Sequence, residues 1–91
     1  MDGEVRNNEA EHRYELEVDG QLALAAYRLH DGRITFTHTE VPAALEGRGI
    51  GSKLVKGALD DARAQGLEVV PACPFVKHYM DKHPETQDLL A

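Results

Sequence analysis

From Arg13 the chain alternates. Tyr14, Leu16 and Val18 fall on one side of an extended segment and Glu15 and Glu17 on the other, which predicts a half-buried strand. Asp19-Gly20 follows, and a type I′ hairpin turn requires positive φ at both of its central positions, so a tight reversal is predicted there. Gln21–Leu29 reads as a second strand and Asp31-Gly32 as a second hairpin. Arg33–Val41 reads as a third strand, with Ile34 and Phe36 on one face and Thr35, Thr37 and Thr39 on the other. Pro42 ends it by removing a ladder donor. The period then changes. Ile50, Leu54, Val55, Ala58, Leu59 and Ala62 recur at helical spacing, opposite Lys53, Lys56, Asp60, Asp61 and Arg63. Gly66 stands where a helix C′ residue is expected.

Leu67–Ala72 is short, apolar and bounded by prolines, so it reads as a buried strand. The strand–helix–strand unit over 33–72 predicts a right-handed crossover, with the fourth strand parallel to the third. Phe75, Val76 and Tyr79 share a short helical face that Pro84 must stop. Residues 1–11 are polar, acidic and aperiodic, which predicts a frayed start. The expected fold class is α+β: a three-stranded antiparallel meander, a helix, a parallel strand and a short C-terminal helix, β-β-β-α-β-α.

Composition adds bounds. The 91 residues are expected to form one domain over 1–91. No apolar run approaches the roughly 20 residues of a membrane helix, and the polar start has no signal-peptide core, so a soluble, cytoplasmic protein without membrane association is expected. A net charge of −6 disfavours general binding to nucleic-acid phosphates and is compatible with a cationic substrate such as an amine. Cys73 is the only cysteine and has no internal disulfide partner. The histidines show no spacing that pairs them as metal ligands, so no metal is expected. With no obvious exposed apolar stripe, a monomer is the default.

The chemistry concentrates in Glu46-Gly47-Arg48-Gly49-Ile50-Gly51, which opens directly into the long helix. Glycines let a backbone turn tightly and bring its N–H groups close to an anion. The helix N-terminus adds unpaired donors and about half a positive charge. Together these predict a site for a diphosphate, with Arg48, Ser52 and Lys53 as further donors. The alternative is a plain connector. A P-loop is excluded because no Gly-x-x-x-x-Gly-Lys-Ser/Thr string exists. A dinucleotide fold is excluded because an antiparallel meander, rather than the first strand of a parallel sheet, precedes the loop.

The string Val41 to Leu54 resembles the coenzyme-A signature of the GCN5-related N-acetyltransferases, Arg/Gln-x-x-Gly-x-Gly/Ala. More closely, the chain resembles the small YjdJ-type single-domain subgroup through His38-Thr39-Glu40-Val41-Pro42, Pro71-Ala72-Cys73-Pro74-Phe75-Val76, Tyr79 and His83-Pro84-Glu85. The resemblance covers about residues 11–90. It implies acetyl-CoA as cofactor, held by Val41, Gly47, Arg48, Gly49, Ile50, Gly51 and Ser52, and an amine acceptor, either a small molecule or a protein lysine. One position departs from the signature. Glu46 stands where Arg or Gln is usual, and it is expected to turn away or to pair with Arg48 or Lys53. The subgroup also lacks the helices that cover the acceptor in larger relatives.

The resemblance further implies that the third and fourth strands splay apart and that a backbone N–H near Val41 polarises the thioester carbonyl. Tyr79, about one and a half turns after Pro74, matches the tyrosine assigned to protonating the departing thiolate; the alternative is a ring packed in the core. Cys73 is expected near the acyl end, either as a nucleophile or as a small buried hydrophobe. His38 and Glu40 share a strand face near the proposed carbonyl site. Either can deprotonate an amine, and His38 can equally be structural. Two functions follow: an acetyl-CoA-dependent N-acetyltransferase, or a non-catalytic acyl-CoA-binding or protein-interaction module on the same fold.

Overall fold

The computed structural model describes residues 3–91. Five strands, β1 (Arg6–Asn8), β2 (Arg13–Val18), β3 (Gln21–His30), β4 (Arg33–Glu40) and β5 (Glu68–Pro71), form one sheet in sequence order. All neighbours are antiparallel except β4 and β5, which the helix α1 (Ile50–Ala64) joins in parallel. A second helix, α2 (Pro74–Lys82), follows β5, and short 3₁₀ turns occupy Glu9–Glu11, Ala43–Leu45 and Pro84–Leu89. The α+β meander–helix–strand–helix order read from the pattern is the order observed.

Both hairpins form as the Asp-Gly pairs require, with Asp19 and Gly20 at φ 52° and 74° and Asp31 and Gly32 at 48° and 78°. The end of α1 is closed by Gly66 at φ 72°. Its N–H bonds the Arg63 carbonyl at 3.1 Å, and the Leu67 N–H bonds the Ala62 carbonyl at 2.9 Å, which satisfies two of the helix's last carbonyls. One core lies between the sheet and the two helices. It is built from Tyr14, Leu16 and Val18 of β2, Ala23, Ala25 and Tyr27 of β3, Ile34 and Phe36 of β4, and the apolar stripe of α1. Among the described residues no helix covers the other face of the sheet, and Leu22, Leu24 and Ala26 remain half-buried there.

Three expectations change. A frayed start over 1–11 does not hold for residues 6–11; residues 1 and 2 lie outside the described residues. Arg6–Asn8 pair with Arg13–Glu15 because Glu15, only 2% exposed, accepts hydrogen bonds from Arg6, Asn8 and Arg13. Charge pairing across strands, which no hydrophobic period reports, forms this edge.

The second change is in β4. Tyr27 faces Phe36 but Ala26 faces His38, so Thr37 is an extra, bulged residue. Thr39 is thereby moved to the helix side and His38 and Glu40 to the helix-free side, whereas the alternation grouped Thr39 with Thr35 and Thr37.

Third, α2 buries Val76, Tyr79 and Met80, while Phe75 is 41% exposed and leans over α1's first turn. Phe75 and Tyr79, four residues apart, lie about 40° apart around α2 and one turn apart along it, so they share a side but meet different neighbours, Phe75 over α1's first turn and Tyr79 beside the C-terminal turn.

Candidate functional site

The loop between β4 and α1 holds Gly47 at φ 80° and Gly49 at φ 71°, and a Cβ at either would meet nothing within 4 Å. Glycine is needed at both for the backbone conformation and leaves their surface open. Gly51 has a different reason. A Cβ there would lie 2.4 Å from the Phe75 ring, so its hydrogen admits the aromatic edge against the helix.

Gly49 is the N-cap of α1, and among the described residues no side chain caps it. The first helical bond runs from the Lys53 N–H to the Gly49 carbonyl at 3.0 Å, which leaves the N–H groups of Ile50, Gly51 and Ser52 without helical acceptors. The first turn contains no acidic side chain. These donors edge a cleft of about 370 Å³ whose walls are Thr39, Val41, Leu45, Glu46, Gly47, Ile50 and Phe75, with Gly49, Gly51 and Ser52 at the same rim. The donor set suits a diphosphate anion and the apolar wall suits an uncharged arm running from it.

The structure thus brings six of the seven expected binding residues together: Val41, Gly47, Gly49, Ile50, Gly51 and Ser52. Arg48 turns to Asp19, Nη1 to Oδ2 at 2.8 Å, and does not line the cleft. Lys53 donates to the Gly3 carbonyl at 3.3 Å. Glu46 pairs with neither of them and is one of the residues on the cleft wall. Thr39, Leu45 and Phe75 are cleft residues that the sequence reading missed. The bulge gives Thr39 its place, and the pattern groups Phe75 with Val76 and Tyr79 on one helical face.

The expected catalytic residues are dispersed. Cys73 is 4% exposed at the N-cap of α2, its Sγ 3.3 Å from Thr39 Oγ1 and its N–H bonded to the Phe36 carbonyl at 2.8 Å. It sits just behind the cleft wall. The last β4–β5 pair is Phe36 with Pro71, where β5 ends, and Cys73 follows directly with its N–H on the Phe36 carbonyl.

His38 bonds Glu40, Nε2 to Oε2 at 2.9 Å, on the sheet face opposite the cleft. Tyr79 is 7% exposed and faces a second cleft between α1 and the C-terminal turn. Burial, then the Glu85 carboxylate, raise its phenol above the ordinary tyrosine value, which keeps it a neutral donor. The structure does not bring Tyr79 to the first cleft, because it lies one turn of α2 beyond Phe75, beside the C-terminal turn.

Among the described residues no helix is long and apolar enough to cross a membrane.

A family model described as GCN5-related N-acetyl-transferase matches residues 13–89. The NATD1 proteins of Gallus gallus and Mus musculus are each 38% identical over 56 residues, 62% of this chain and 51% of theirs. The Homo sapiens NATD1 protein is 38% identical over the same length, 50% of its own chain. The match thus spans about half the length of these relatives. The NMR solution structure of a GCN5-like protein from Staphylococcus aureus superposes with a TM-score of 0.75 at 32% identity, covering 97% of this chain and 87% of that one.

Proposed function

The chain belongs to the GCN5-related N-acetyltransferase family, and from that premise we propose that it transfers an acetyl group from acetyl-CoA to an amine. The observation that carries this reading is the uncapped first turn of α1 opening into the cleft beside the end of β4. Gly47 to Ser52 would hold the diphosphate through backbone N–H groups, so the family's missing Arg/Gln at Glu46 weakens the site without removing it. Val41, Leu45 and Phe75 would wall the arm from water, and the Val41 backbone would serve the carbonyl. Bound there, acetyl-CoA supplies an acyl group activated as a thioester.

Thr39 holds the Cys73 thiol at the closed end of the gap, where burial suits a wall better than a nucleophile. Direct attack by the amine is therefore the favoured route. His38, oriented by Glu40, would accept the amine's proton from the helix-free face. That face carries no covering helix, so a protein lysine fits it as readily as a small amine.

A second reading has its own observation: none of His38, Cys73 and Tyr79 lines the cleft. A non-catalytic acyl-CoA-binding module would have this layout. Titration with CoA under a thermal-shift readout tests the shared premise, with about 2.7 kcal/mol of stabilisation expected at 100 Kd. No stabilisation rejects both readings. Acetyl-CoA consumption over a panel of amines and peptides then separates them, since binding without turnover leaves only the module.

A further inference from the structure

β4 reaches the first cleft through Thr39, which the bulge at Thr37 turns to the helix side. The Thr39 hydroxyl is already engaged, with Oγ1 3.3 Å from Cys73 Sγ. Cys73 in turn is anchored by both of its backbone groups. Its N–H bonds the Phe36 carbonyl at 2.8 Å, and its carbonyl accepts from the Lys77 N–H at 3.0 Å. Cys73 is 4% exposed, Phe36 is 1% exposed, and Ala25, opposite Thr39 on β3, is fully buried. Behind Thr39 the cleft therefore meets packed core. A side chain tied by its hydroxyl to an anchored neighbour does not swing aside cheaply in such a setting.

The order of the cleft residues along the chain sets what meets that wall. The open N–H groups of Ile50, Gly51 and Ser52 come last, Val41 precedes them, and Thr39 lies two residues before Val41, about 6.5 Å back along an extended chain. On the coenzyme reading, on which this inference rests, an arm leaves its diphosphate at the helix N-terminus and brings its thioester carbonyl to the Val41 backbone. Thr39 is then next in line, and the acyl carbons beyond the carbonyl are directed at it. Thr39 and Cys73 present an uncharged surface, a methyl group beside a hydroxyl and a thiol that bond each other. A short apolar acyl group suits that surface, and a charged one would lie there without a partner.

We propose that Thr39, backed by Cys73, limits the acyl group that the coenzyme carries to about two or three carbons.

The test is the affinity of the full chain for CoA, acetyl-CoA and butyryl-CoA, measured by calorimetric titration without an acceptor amine. Acetyl-CoA is expected to bind at least about fivefold more tightly than butyryl-CoA, because two further methylenes overpack a wall that does not retreat. Thr39→Ser keeps the hydroxyl on Cys73 and removes one methyl, and Cys73→Ala removes the sulfur behind it. Each is expected to shrink the butyryl-to-acetyl ratio of Kd values about threefold by making room. Taking the ratio within one variant cancels any loss of affinity common to both thioesters. If CoA binds but butyryl-CoA binds as tightly as acetyl-CoA, or neither variant moves the ratio, the inference is overturned and the coenzyme reading stands. If none of the three binds, both are overturned.

Discussion

Thr39 Oγ1 meets Cys73 Sγ at 3.3 Å across the gap between β4 and β5. The two residues touch because Thr37 bulges out of the ladder and turns the rest of β4 by one residue. Without the bulge His38 would face the helices and Thr39 would point away from them. Thr39→Val is expected to cost about 1 kcal/mol in urea unfolding by removing a half-buried hydrogen bond. A loss near zero would mean that the hydroxyl is equally well served by water.

Burial also governs the Cys73 thiol. In native buffer it should react with a bulky disulfide reagent far more slowly than in urea, since access requires local opening. Saturating CoA should slow it again by stabilising the closed state. Reaction at the free-thiol rate would contradict the buried position and revive the nucleophile.

Tyr14 donates to Asp61 at 2.5 Å. Burial first, then that bond, raise the Tyr14 phenol far above its ordinary value, and burial raises Tyr27 as well. A phenol whose folded pKa exceeds its unfolded one contributes stability that is full below the unfolded value near 10 and is lost as pH climbs above it. Alkaline titration by ultraviolet absorbance should therefore show phenolate appearing with unfolding. Tyr14→Phe should flatten the fall in stability above about pH 10, and an ordinary phenol titration in the native state would refute the arrangement.

Glu15 is the opposite case. Its hydrogen bond from Arg13, then those from Asn8 and Arg6, hold its carboxyl below the usual range. A depressed folded pKa gives stability present above the unfolded value, about 4.3, and lost as pH falls through the folded one. Glu15→Gln should cost about 1–3 kcal/mol. It should also release β1 first, seen as loss of amide-exchange protection at residues 6–8.

Glu46 lines the cleft proposed for the coenzyme, where the family signature has Arg or Gln. Glu46→Gln should tighten CoA about two- to fivefold, with the gain shrinking as salt is added. Gly51→Ala should weaken CoA by pushing the exposed Phe75 ring into the cleft, with little loss of fold stability. Unchanged affinity in both variants, read by thermal shift, would move the coenzyme elsewhere.

Local chemistry is what the sequence could carry. Asp19-Gly20 and Asp31-Gly32 set both hairpins, because only such pairs accept two positive φ values cheaply. The stripe from Ile50 to Ala62 and Gly66 set the long helix, because its period and its stop are both written within one segment. The Gly47–Gly51 loop carried its open backbone donors for the same reason: they are fixed by neighbours in sequence.

What the tertiary structure alone decided is which side chains meet across distance. A bulge depends on how two strands twist against each other, so no alternation in β4 shows that Thr39 reaches Cys73 while His38 turns away. How α2 lies against α1 depends on the packing of Val76 and Met80, and that placement sets Phe75 at the first cleft and Tyr79, one turn further along, at the other one. The edge strand β1 depends on one buried carboxylate, Glu15, and on cations from two strands. Each is a contact between segments, and its energy exists only once those segments are brought together.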